Sequence, residues 1–174
     1  MKQTKLISIL LIFITLFTLL AACDSNQQGA EPSINPELIS AFGEEMIEGE
    51  KENISRLVNG LKDTYAQYQK DKDVYAFGCN VDDVMQEFTG YLEEISQELQ
   101  YMYQEESDKT RKMELLSLHS VSIQYIAPKN SWDLYKFSIE NGLDPTYTEQ
   151  EIEEKLCAYI DSISEFFYCQ PITY

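Results

Sequence analysis

Val81–Met102, VDDVMQEFTGYLEEISQELQYM, is the stretch whose reading decides the fold. Its apolar residues fall at Val81, Val84, Met85, Phe88, Leu92, Ile95, Leu99 and Met102, in steps of three and four. That spacing places them on one face of an α-helix, with Glu93, Glu94 and Glu98 between them. Upstream, Asp71–Asn80 (DKDVYAFGCN) interrupts the pattern and reads as a loop. Before it, Leu38, Phe42, Met46, Ile47, Ile54, Leu57, Val58, Leu61, Tyr65 and Tyr68 form a second stripe. Asn35-Pro36-Glu37 opens that helix with a capping oxygen, a proline preset for the first turn and an acid near the positive end of the dipole. A kink or break is expected near Gly49, because glycine costs a helix interior about 1 kcal/mol relative to alanine.

Downstream, Glu105–Asp108 is a polar break in which Ser107 or Asp108 can cap the next element. Residues 109–127 read two ways. Leu116, Leu118, Val121, Ile123 and Tyr125 alternate like a strand, whereas Met113, Leu116, Ser120, Ile123 and Ala127 fit a buried helical face. A lone strand has no partner in a helical chain, so the helix is favoured. Pro128 ends it, and Asn130 or Ser131 starts a short helix that Asn141-Gly142 stops. Thr148-Glu149-Gln150-Glu151 is a capping box. It opens a last helix with Ile152, Leu156, Tyr159, Ile160, Ile163, Phe166 and Phe167 on one side, ended before Pro171. The expected fold is all-α: a single bundle of four to five helices over residues 35–174, without an internal repeat.

The 174 residues include only 7 Gly and 5 Pro and are 44% hydrophobic, which suits one compact domain rather than a disordered or collagen-like chain. The formal charge is −17, and it is unevenly placed. Residues 1–22 hold Lys2 and Lys5 and no acid, so the chain from Cys23 onward carries 11 basic and 30 acidic residues, a net −19. Nucleic-acid binding needs clustered Lys and Arg, and this balance excludes it. One histidine excludes most hydrolase and metal architectures that need two or more.

Leu6–Ala22 (LISILLIFITLFTLLAA) is 17 residues without a charge, behind Lys2 and Lys5. A short positive region, an apolar run and small residues make a secretory signal peptide. The other reading is a permanent membrane helix, for which about 17 residues is the bottom of the spanning range. Leu20-Ala21-Ala22-Cys23 decides between them, because it resembles the lipobox of bacterial lipoproteins. The resemblance covers residues 1–23 only. It implies a cleaved signal at 1–22, a diacylglycerol-modified Cys23 as the new N-terminus, and a place on the extracytoplasmic face of a membrane. Two or more acyl chains, at about 0.8 kcal/mol per buried methylene, anchor stably without a spanning helix. Asp24 is similar to the residue that retains lipoproteins in the inner membrane of enteric bacteria. The polar, small residues of 23–34 read as a flexible lipidated tether.

Export permits disulfides, and the domain holds Cys79, Cys157 and Cys169. Cys157 and Cys169 are twelve residues apart, about 18 Å on one helix, too far to bond each other. If the helices alternate strictly up and down, the last one ends beside the Cys79 loop. Cys79–Cys169 is therefore the favoured bond, with Cys157 as the alternative partner.

No catalytic residue, cofactor or metal is assigned. There is no Cys-x-x-Cys, Gly-x-Ser-x-Gly or phosphate-cradling glycine loop. Asp71-Lys72-Asp73 lacks the glycine and the glutamate of a calcium loop, and His119 has no Glu three residues before it for a di-iron site. The acids fall between the apolar stripes and so face solvent, where a negative surface captures cationic partners. Twelve tyrosines are many for this length. Tyr65, Tyr68, Tyr75 and Phe77 surround Cys79, and Tyr168 joins them if the favoured disulfide forms, making a candidate aromatic contact patch. The expected function is a lipid-anchored protein-binding module of the cell envelope, an inhibitor or immunity-type protein against a basic effector. The alternatives are a solute- or glycan-binding lipoprotein and an envelope enzyme built on a carboxylate pair.

Overall fold

A computed structural model describes residues 32–126 and 130–173. The signal segment, Cys23, the tether up to residue 31, Pro128 and Tyr174 lie outside the described residues. Residues 34–174 form one compact unit. Among the described residues there are six helices and no strand: α1 Pro36–Phe42, α2 Glu44–Asp71, α3 Val74–Glu105, α4 Lys109–Ile126, α5 Asn130–Glu140 and α6 Glu149–Tyr168. They pack as a helical bundle, and none is long and apolar enough to cross a membrane.

Asn35 starts the bundle and also closes it. Its side-chain oxygen accepts from Glu37 N at 2.9 Å, while its own N–H and Nδ2 donate to the carbonyls of Phe167 and Phe166 at 2.7 and 2.9 Å. The carbonyls at the end of α6, which have no helical partner, are thus satisfied by the chain entering α1. The break expected near Gly49 comes instead at Gly43, which takes φ 88°. The left-handed region is open to glycine at little cost. Gly49 lies inside α2 without interrupting it. That split gives six segments where the pattern predicts five at most.

The loop expected at 71–80 shrinks to Lys72 and Asp73. Lys72 adopts a left-handed conformation (φ 58°), and the Asp73 side chain accepts from Ala76 N at 2.9 Å, capping α3 seven residues early. Val74, Phe77, Gly78 and Val81 are all buried, so the α3 stripe extends back through the glycine and the cysteine. At the other end of α3, Asp108 accepts from Arg111 N at 2.8 Å and starts α4.

Residues 109–126 are helical, as favoured, but the buried face differs from the expected one. Leu115, Leu118, Ser122 and Tyr125 face the core, while Met113, Leu116, Ser120 and Ile123 are exposed. Apolar residues lie on two sides of α4, so periodicity alone could not choose between them. Arg111 joins the start of α4 to Ser40, and Lys112 Nζ donates to the Gln104 and Glu106 carbonyls at 3.4 and 3.3 Å. The end of α5 is a Schellman motif: Gly142 (φ 65°) donates to Ile139 O at 3.2 Å and Leu143 to Ser138 O at 2.9 Å.

Candidate functional site

The end of the bundle built around Cys79 is where α2, α3, α5 and α6 bring polar and aromatic groups together. Gly78 makes this possible. A Cβ there would lie 2.3 Å from the Trp132 ring, so the absence of a side chain lets α5 seat its indole against the α3 backbone. The indole is 2% exposed, and its N–H donates to Asp82 Oδ2 at 2.7 Å. The same oxygen accepts from Lys136 Nζ at 3.2 Å. Hydrogen bonding to Asp82 raises the Lys136 pKa above the usual lysine value. Tyr75 packs its ring 5.8 Å from Trp132 and donates its hydroxyl to Glu140 Oε1 at 2.9 Å. That bond, which holds the phenol in its protonated form, raises the Tyr75 pKa to about 12. Cys79 sits one turn beyond Tyr75 on α3, half-buried.

The tyrosines read as a contact patch separate into two groups. Tyr68 and Phe77 stack at 4.7 Å and are 3% and 1% exposed, so both belong to the core. Tyr65, 6.2 Å from each of them, and Tyr75 keep part of their surface in solvent. Tyr168 lies away from that end, buried, with its hydroxyl 3.0 Å from Ser55 Oγ.

No disulfide joins Cys79 to Cys169 or to Cys157. The assumption of strictly alternating helices fails at α5. The side chains of Trp132, Lys136 and Glu140 meet Gly78, Asp82 and Tyr75 at the start of α3, so α5 stays at that end instead of descending. Helix α6 therefore starts at the Cys79 end and runs away from it. Near its finish, Phe167 stacks on Tyr91 at 6.4 Å. Tyr91 is twelve residues from Cys79, about 18 Å along α3, and Cys169 lies beyond Phe167. Cys157, higher on α6, is half-buried, and burial, with Glu153 and Asp161 nearby, pushes its thiol up to about 11. A thiol so protonated is a poor nucleophile.

His119 holds its ring 5.4 Å from Tyr103, tilted by 50°, between α4 and α3. The described residues contain no group of three or more His, Cys, Asp or Glu placed to hold a metal ion. A cavity of about 170 Å³ between α5 and α6 is lined by Asn130, Ser131, Trp132, Lys155 and Tyr159 among others. The Asp82–Trp132–Lys136 cluster was not expected from the sequence. The single Trp, whose N–H needs a buried acceptor, was the available signal, but nothing local pairs it with Asp82, fifty residues away. Protein-family models, curated proteins and solved structures give no match to this chain.

Proposed function

We propose that this protein is a lipid-anchored, acidic helical module of the bacterial cell envelope that acts by binding a basic protein, in the manner of an inhibitor or immunity protein. The observation that carries this reading is the segregation of charge from core. Glu44, Glu45, Glu48, Glu93, Glu94, Glu98, Glu149, Glu151 and Glu154 are all exposed, over a core whose buried side chains are almost all apolar. A surface of this kind raises the encounter rate with a cation and orients it. The anchor rests on Leu20-Ala21-Ala22-Cys23. Tyr75, beside Glu140, and Tyr65, near Asp161 and Glu153, are the aromatic groups available for contact at the Cys79 end.

The test is capture from membranes of cells expressing the full chain, followed by salt titration. A basic protein should be retained at about 50 mM NaCl and lost by about 500 mM, because the Debye length falls severalfold. Tyr65→Ala with Tyr75→Ala should weaken the capture at least tenfold. Retention that ignores salt would overturn the electrostatic reading. Membrane fractionation of Cys23→Ser tests the anchor separately, and unchanged membrane association would refute it.

A further inference from the structure

We propose that the outer face of α4 is a self-association seam, occupied by α4 of a second copy of this chain. Met113, Leu116, Ser120 and Ile123 follow one another at intervals of three, four and three. That is the spacing of a two-residue-per-heptad coiled-coil stripe. By sequence this stripe should be buried, yet within one molecule it is not: Met113 is 55%, Leu116 36% and Ile123 45% exposed. The core is served by the other side of the same helix, through Leu115, Leu118, Ser122 and Tyr125. A helix that is apolar on two opposed sides is built to be covered on both.

Charge identifies the occupant. Within α4 the single acid is Glu114, against Lys109, Arg111 and Lys112, although the chain carries 30 Asp and Glu in all. A basic partner gains nothing on such a face. Two acidic copies repel each other wherever their carboxylates meet, and this face opposes none. The stripe is also complementary to itself. In an antiparallel pair related by a twofold axis, Met113 lies opposite Ile123 and Leu116 opposite Ser120, a large side chain against a small one. Ser120 keeps its hydroxyl on the Leu116 carbonyl of its own helix at 2.7 Å, so covering it leaves no stranded donor. The narrowness of the stripe favours a helix over a lipid surface, which takes a broad apolar face.

The test uses the full chain carrying either of two epitope tags, co-expressed and co-captured from detergent-solubilised membranes. Wild-type copies should capture each other, and Leu116→Glu should reduce that at least tenfold, as should Ile123→Glu. Both variants should keep the wild-type helical circular-dichroism spectrum, because Leu116 and Ile123 are exposed in the single molecule. Leu116→Glu in one copy with Ser120→Lys in the other should restore capture, because those positions face each other only between copies. Absence of capture between wild-type copies, or capture insensitive to both Glu variants, would overturn the seam. Loss without restoration by the charge-swapped pair would assign the face to a different protein and overturn the second copy as its occupant. Capture of a basic partner is read separately, so this result stands or falls apart from the proposed function.

Discussion

Gly78 and Trp132 show how one missing methyl group positions a whole helix. The alanine Cβ at 78 would enter the indole ring, which is held on its other edge by the hydrogen bond to Asp82. Gly78→Ala should therefore destabilise the protein by about 2 kcal/mol, the cost of overpacking, despite alanine's better helix propensity. Gly49 offers the control. It lies inside α2 with open space around its missing Cβ, so Gly49→Ala should stabilise by about 0.5–1 kcal/mol. Urea denaturation midpoints of the two variants should move in opposite directions. The sequence reads both as interruptions, Gly78 within a loop and Gly49 at a helix break, yet both lie inside helices. Only the presence of Trp132 54 residues away distinguishes them. The same holds for the tyrosines: Tyr65 and Tyr68 are three residues apart on one helix, yet one keeps contact with solvent and the other is core.

At the level of elements, the ends of helices were legible where a cap is local. Asn35, Asp108, Thr148 and Gly142 each stop or start a helix through hydrogen bonds to residues within five positions, and each was readable from residue type. The α6 box is complete, with Glu151 N donating to Thr148 Oγ1 at 3.2 Å and Thr148 N to Glu151 Oε2 at 2.8 Å. The backbone and then the side chain of Thr148 hold the Glu151 carboxyl below the usual carboxylate range. A carboxyl whose folded pKa is depressed adds stability above its unfolded pKa and loses it as pH falls through the folded one. Wild type should therefore exceed Glu151→Gln in stability by a constant margin at neutral pH. That margin should close below about pH 4.5, near the unfolded value for Glu, which thermal melts across pH would record. The start of α3 was missed because Asp71–Asn80 has a loop-like composition. Its buried positions continue the downstream stripe, and tertiary burial outweighs the low helix propensity of Gly, Cys and Asn.

For the molecule as a whole, topology governs the cysteines. With α5 held at the start of α3, helix α6 runs away from that end and carries Cys169 far from Cys79. Unfolded but unreduced protein should thus take up iodoacetamide at Cys79, Cys157 and Cys169 alike, read by intact mass, and a reductant should leave the melting temperature unchanged. Removing a native disulfide would instead cost about 2–5 kcal/mol. Hydrophobic periodicity, caps and charge are local quantities, set by neighbours within a turn or two. The sequence alone therefore determined that the described domain is all-helical, where most of its helices end, and that most of its acids face solvent. Which way α5 turns, which side of α4 meets the core, and which aromatic rings are buried depend on contacts between residues tens of positions apart. Those contacts, Trp132 with Asp82, Tyr125 with Ser162 and Asn35 with Phe167 among them, were decided only by the tertiary structure. Each is a choice among packings that satisfy the same local pattern equally well.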